Sequence, residues 1–193
     1  MSRKVERVRY HLDPKGVRSL PSDDIKAILR GADHLIMRGG RTLLVKVLRG
    51  SRAKDVIDRD LDRSPAYGFY QHLSAEDVLA RIDWVIRNRY LAIEYDHRLP
   101  LLVYTEAGWA IEKETCVKEL LRGFDAMAAG LQALDASHLK DRNREIIWRL
   151  LEQIEVSGDR KYLPILEAWE PIDYKKVRQR IQQVRQRLSG STD

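Results

Sequence analysis

Residues Ser74-Ala-Glu-Asp-Val-Leu-Ala-Arg-Ile-Asp-Trp-Val-Ile-Arg87 run into Asn88-Arg-Tyr-Leu-Ala-Ile-Glu-Tyr-Asp-His-Arg-Leu-Pro-Leu-Leu-Val-Tyr104, and this stretch decides the fold class. It opens with a variant capping box, Asp77 standing where Glu is usual three residues after Ser74. Val78, Leu79, Ile82, Val85 and Ile86 follow at helical spacing, so a helix is expected here, with Asn88 as its left-handed exit. Leu91, Ile93 and Tyr95 then alternate with Ala92 and Glu94, the pattern of a half-buried strand. Asp96-His-Arg-Leu99 turns the chain, and Pro100 to Tyr104 reads as the return strand. A helix feeding a short hairpin, with other helices around it, describes a winged helix-turn-helix.

Working outward, Pro21-Ser22 opens an earlier helix with Asp23 and Asp24 in its first turn, where the helix dipole favours acids. Ile25, Ile28, Leu29, Ala32, Leu35 and Ile36 form its apolar stripe, and Gly39-Gly40 ends it. Leu43, Leu44, Val47 and Leu48 mark a second helix closed by Gly50, and Val56, Ile57 and Leu61 a third that stops before Pro65. Thr105 caps a helix through Trp109 and Ile111. From residue 113 the pattern is helical throughout: Val117, Leu120, Leu121, Phe124 and Met127, then Ile146, Ile147, Leu150, Leu151 and Ile154. A short helix with Tyr162, Leu163, Ile165, Leu166 and Trp169 comes before Pro171, and Tyr174, Val177, Ile181, Val184 and Leu188 form a last seam of barely two heptads. The expected fold is mainly α with a small β-hairpin: a basic arm over 1–20, a winged helix over 21–112 and a helical C-terminal domain over 113–193.

The 193 residues suffice for a hydrophobic core, and 44% apolar with 33% charged is a globular balance. The longest run without a charge, from Ser64 to Ala75, is too short to span a bilayer, and the basic start lacks the apolar core of a secretory signal. A single cysteine, Cys116, excludes an intramolecular disulfide and a cysteine zinc cluster, so a cytoplasmic protein is expected. There is no phosphate-binding P-loop, no Gly-x-Ser-x-Gly elbow and no His-Glu-x-x-His, and the five histidines lack metal-ligand spacing. Neither an enzyme nor a cofactor is expected. The net charge of +6 is unevenly spread: Arg38, Arg41, Lys46, Arg49, Arg52 and Lys54 fall together without an acid among them. Such a patch suits phosphate oxygens, or is a solvated face balanced by Asp55, Asp58, Asp60 and Asp62 just after it.

Gly40-Arg-Thr-Leu-Leu-Val-Lys-Val-Leu-Arg-Gly-Ser51 closely resembles a segment of the RQC domain, the winged helix that follows the motor and zinc regions of RecQ-family DNA helicases. Tyr67-Gly68 resembles the family's Tyr-Gly, Trp84 to Leu91 its helix leading into the wing, and Thr105-Glu-Ala-Gly108 its Leu-Thr-Glu-Ala-Gly ending, with Tyr104 in place of Leu. The resemblance covers roughly residues 25–112. Neither motor nor four-cysteine module accompanies it, so it implies a free-standing RQC-like module that binds DNA without helicase activity. In the family the loop after the second helix contacts phosphates, which implicates Arg49, Gly50, Ser51, Arg52 and Lys54, with Arg38 and Arg41 nearby; Gly50 and Ser51 also suit ordinary capping. The family's wing tip stacks a ring on a duplex end, and here the hairpin offers Tyr95, His97 and Arg98, the last two best placed at the tip. Tyr95 alternatively extends the buried face of the strand.

Ser157-Gly-Asp-Arg-Lys-Tyr-Leu-Pro-Ile-Leu166 is similar to the turn and second-helix start of HEAT-type repeats, one of which cannot bury its own face. It implies packing on the winged helix or a groove for a protein partner. The basic last helix, from Lys175 to Arg187, is either a second phosphate surface or a solvated face. The expected function is non-catalytic recognition of double-stranded or forked DNA, at ends, forks or repair-type structures. The alternatives are a sequence-specific transcription regulator reading through the Ser74 helix, and a protein–protein adaptor. Glu76, Asp77 and Asp83 on that helix speak against the regulator.

Overall fold

The computed structural model describes residues 7–190. The chain divides between Glu112 and Lys113 into two compact units. The first contains α1 (Ser22–Ala32), α2 (Arg41–Leu48), the single-turn α3 (Lys54–Ile57), α4 (Ala75–Arg87), β1 (Leu91–Asp96) and β2 (Leu99–Tyr104). A long helix, α5 (Glu106–Ala128), runs across the division, and α6 (Arg144–Ser157), α7 (Leu163–Trp169) and α8 (Lys175–Gly190) complete the second unit. This is a winged helix followed by a helical region.

Helix α2, at eight residues, is too short to persist alone in water. Tertiary packing holds it: Leu44, Val47 and Leu48 are buried with Ile28 and Leu29 of α1 and Val78, Ile82 and Val85 of α4. Each such side chain contributes roughly 1.5–3 kcal/mol on burial, well above the few tenths lost to β-branched helix residues. The strands pair antiparallel, Leu91 opposite Tyr104 and Asp96 opposite Leu99, which leaves His97 and Arg98 as a two-residue tip. Met37 donates its amide to the Leu102 carbonyl and Leu102 donates to that of Gly39, so the segment before α2 lines the free edge of β2. Tyr104, the departure from the family's Leu, donates its hydroxyl to the Leu29 carbonyl at 2.9 Å and ties the hairpin to α1.

Four local expectations are corrected. The third helix is one turn only, because Asp60 takes a left-handed conformation (φ 53°) and Leu61–Arg63 forms a separate 3-10 turn. Asn88 is not the left-handed residue after α4; Arg89 is, at φ 60°, while the Asn88 side chain donates back to the Trp84 carbonyl. The helix capped by Thr105, expected through Trp109 and Ile111, runs on unbroken to Ala128. Tyr174 is not part of the last seam: it precedes α8, half its surface is open, and Lys140 and Arg144 lie over its ring.

In the second unit Val177, Ile181, Val184 and Leu188 of α8 are buried, with α8 lying along α6 rather than α7 along α6 as in a simple two-helix repeat. Trp169 is fully buried, meets Phe124 edge to face, and donates its indole N–H to Asp173. Gly158, at φ 64°, closes α6.

Candidate nucleic-acid interface

Helix α2 ends in a Schellman arrangement: the Gly50 amide donates to the Val47 carbonyl, and the Ser51 amide to that of Lys46. Gly50 supplies the positive φ of 70° this needs, and its Cα faces Gly68 so closely that an added Cβ would meet the Gly68 Cα at 3.2 Å. The two signatures that carry the family resemblance are therefore clasped together. The Gly68 and Tyr70 amides donate to Val47 and Leu48, the Tyr67 hydroxyl to the Ser51 carbonyl, and the Arg49 Nε to the Leu73 carbonyl. Ser51 Oγ accepts from the Ala53 amide, as an ST-turn does.

What this clasp displays is the cationic part of the loop. Arg49, Arg52 and Lys54 are exposed, and among the described residues none of the three forms an ion pair. Arg38 is likewise exposed and unpaired there, its carbonyl accepting from Arg59. Lys46 differs: its ammonium meets Asp55 at 2.6 Å and holds that carboxyl below the usual carboxylate range. Gly50 and Ser51 thus shape the loop, their amides committed to α2.

Arg41 is occupied within the fold. Its guanidinium donates to the buried Asp83 carboxylate and to the His11 carbonyl, and lies over the Tyr10 ring. Asp83, 2% exposed, also accepts from the Asp13 amide at 2.9 Å. It therefore faces inward from α4 and is not among the acids that α4 shows to solvent. Asp83 is the important residue that sequence reading misplaced. The available signal is its position between Ile82 and Trp84, on the edge of the apolar stripe.

The wing carries the N-terminal arm. The Val8 amide donates to the Arg98 carbonyl at 3.0 Å, and the Tyr95 hydroxyl donates to the Val8 carbonyl at 2.8 Å. Tyr10 packs on Tyr95 and Arg7 lies over the Tyr95 ring. Tyr95 is thus an anchor for the arm rather than a free stacking ring. Arm residues further on reach α4, where Lys15 pairs with Glu76. At the tip His97 is 87% exposed by side chain, with Asp96 at 3.7 Å, and takes a positive φ of 51°. Arg98 is exposed beside it. His97 and Arg98 stand at the tip and Tyr95 does not.

At the foot of the wing Thr105 Oγ1 donates to the Tyr90 carbonyl and accepts from the Gly108 amide. An added Cβ at Gly108 would stand 1.8 Å from the Tyr90 oxygen, so only glycine fits there. The family model of the RQC domain matches residues 21–121, more than half of the chain. The chain belongs to the RQC domain family. Its Leu-Arg-Gly-Ser, Tyr-Gly and Thr-Glu-Ala-Gly signatures lie inside that match, and their glycines sit at close backbone approaches, Gly50 against Gly68 and Gly108 against Tyr90. No curated protein matches the chain, and no solved structure does. Membership in the family points to nucleic-acid binding. Among the described residues no helix is long and apolar enough to cross a membrane.

Proposed function

We propose that this chain is a non-catalytic DNA-binding protein that grips the sugar-phosphate backbone through the RQC fold and favours duplex ends, forks or similar repair-type structures. The observation that carries this reading is the Arg49–Lys54 loop, a rigidly clasped segment whose three cations have no ion-pair partner among the described residues. Guanidinium and ammonium groups on a preorganised loop make charge-assisted bonds to phosphate and carry no base information. The wing supports the preference for ends. Its tip has one ring and one guanidinium plane, which stack on a terminal base pair but offer few donors and acceptors to base edges.

Major-groove reading through α4 fits less well. Arm residues Asp13 and Lys15 already hold Asp83 and Glu76 of that helix. Binding should therefore depend on DNA structure and little on sequence.

The test is fluorescence anisotropy with a fork, a blunt duplex, a single strand and a closed circular duplex, each in two unrelated sequences. Fork affinity should be highest and independent of sequence. Replacing His97 and Arg98 together by Ala should weaken fork binding by about 1–3 kcal/mol and leave the closed circle nearly unchanged. Equal loss on both substrates would reduce the tip to another phosphate contact.

A further inference from the structure

Resting on the DNA-binding reading, we propose that the N-terminal arm is itself part of the interface: Arg7 and Arg9 join the wing tip to the phosphate loop in one track for a single DNA backbone. The arm is docked, not trailing. Val8 is fixed to the hairpin from both sides, by its amide on the Arg98 carbonyl and by its carbonyl on the Tyr95 hydroxyl. Arg41 and Asp83 then hold the chain at His11 and Asp13. These bonds leave Arg7 and Arg9 exposed on either side of Val8, and among the described residues neither has an anionic partner.

The wing-tip backbone at Arg98 touches Val8, and Arg9 lines a cleft of about 400 Å³ with Thr42 and Lys46 of α2. Lys46 pairs with Asp55, the neighbour of Lys54 in the phosphate loop. The cleft is also lined by Tyr10 and Asp55, and Asp55 is already neutralised by Lys46. Arg41 in the same wall is offset by Asp83. Arg9 is then the uncompensated charge, which matches the single negative charge of one phosphodiester. A DNA backbone is the partner that such a strip of separated cations fits, since phosphates recur along it at regular intervals.

The experiment compares wild type, Arg7→Ala/Arg9→Ala, Arg7→Lys/Arg9→Lys and Arg49→Ala/Arg52→Ala on a fork across a salt series. Removing two phosphate contacts should flatten the plot of log affinity against log salt by about two units. The Lys pair should restore the slope, because a point charge suffices at a phosphate. Tyr95→Phe, which removes one of the two bonds that fix Val8 but no charge, should weaken fork binding in the same direction. An unchanged slope for the Ala pair, with Arg49→Ala/Arg52→Ala still impaired, would overturn the arm's role and leave the loop's intact. A rise in affinity for the Ala pair would also overturn it, marking the arm as a cover over the interface. If neither double variant changes binding, the DNA reading itself fails.

Discussion

Gly108 shows most clearly how a single position can be set by backbone approach. Its helix passes the Tyr90 carbonyl so closely that any side chain would collide with main chain, which cannot rotate away. Gly108→Ala should therefore lose about 3 kcal/mol or more, read as a lower midpoint in denaturant unfolding. Gly16, which has nothing within 4 Å of an added Cβ, makes a useful contrast within the same unit, although its positive φ carries a cost of its own. Single residues are also where long-range partners override local sequence. Asn88 looked like the left-handed exit because Asn tolerates that conformation, yet its side chain bonds back to Trp84 and passes the role to Arg89. Asp83 looked like a surface acid, yet long-range bonds to Arg41 and Asp13 bury it. Partners 42 and 70 residues away leave no local mark.

At the scale of elements, apolar periodicity made α1, α2, α4 and the hairpin legible, because each owes its place to a buried face. The docking of the arm was not legible. It rests on main-chain groups of Val8, His11 and Asp13, which every sequence possesses. The basic face of α8 was readable as composition but not as pairing. Arg180 forms a bidentate pair with Glu155 of α6, Arg187 joins it, and Arg185 bridges Glu167 and Glu170. These arginines are engaged within the unit, whereas Lys175, Lys176 and Arg178 face solvent. A pH dependence follows. The Arg180 guanidinium holds the Glu155 carboxyl below its ordinary range. A depressed carboxyl contributes stability that is whole above the unfolded value, about 4.3, and is lost as pH falls through the folded one. Thermal unfolding followed from pH 7 down to 3 should show that loss, and Glu155→Gln should start lower at pH 7 and decline less steeply. Parallel acid limbs in the two proteins would assign the loss to other carboxylates.

At the scale of the whole molecule, labour in the loop is divided. Gly50, Ser51, Tyr67 and Gly68 build the loop, and Arg49, Arg52 and Lys54 are what it displays. The motifs that identified the family are thus chiefly architectural, and the exposed cations are the less distinctive residues beside them. That is why family membership was easier to read than the site. The charge run marks the loop's cations in the sequence, but Arg41 and Lys46 of the same run are paired internally. The most direct test of the central claim is the salt dependence of fork binding by wild type and by Arg49→Ala/Arg52→Ala, with circular dichroism confirming the fold. Neutralisation of phosphates predicts a steep salt slope for wild type, flattened by about two units in the variant and equally so for unrelated sequences. A shallow slope shared by both proteins, or unchanged affinity in the folded variant, would contradict the claim that this loop holds DNA.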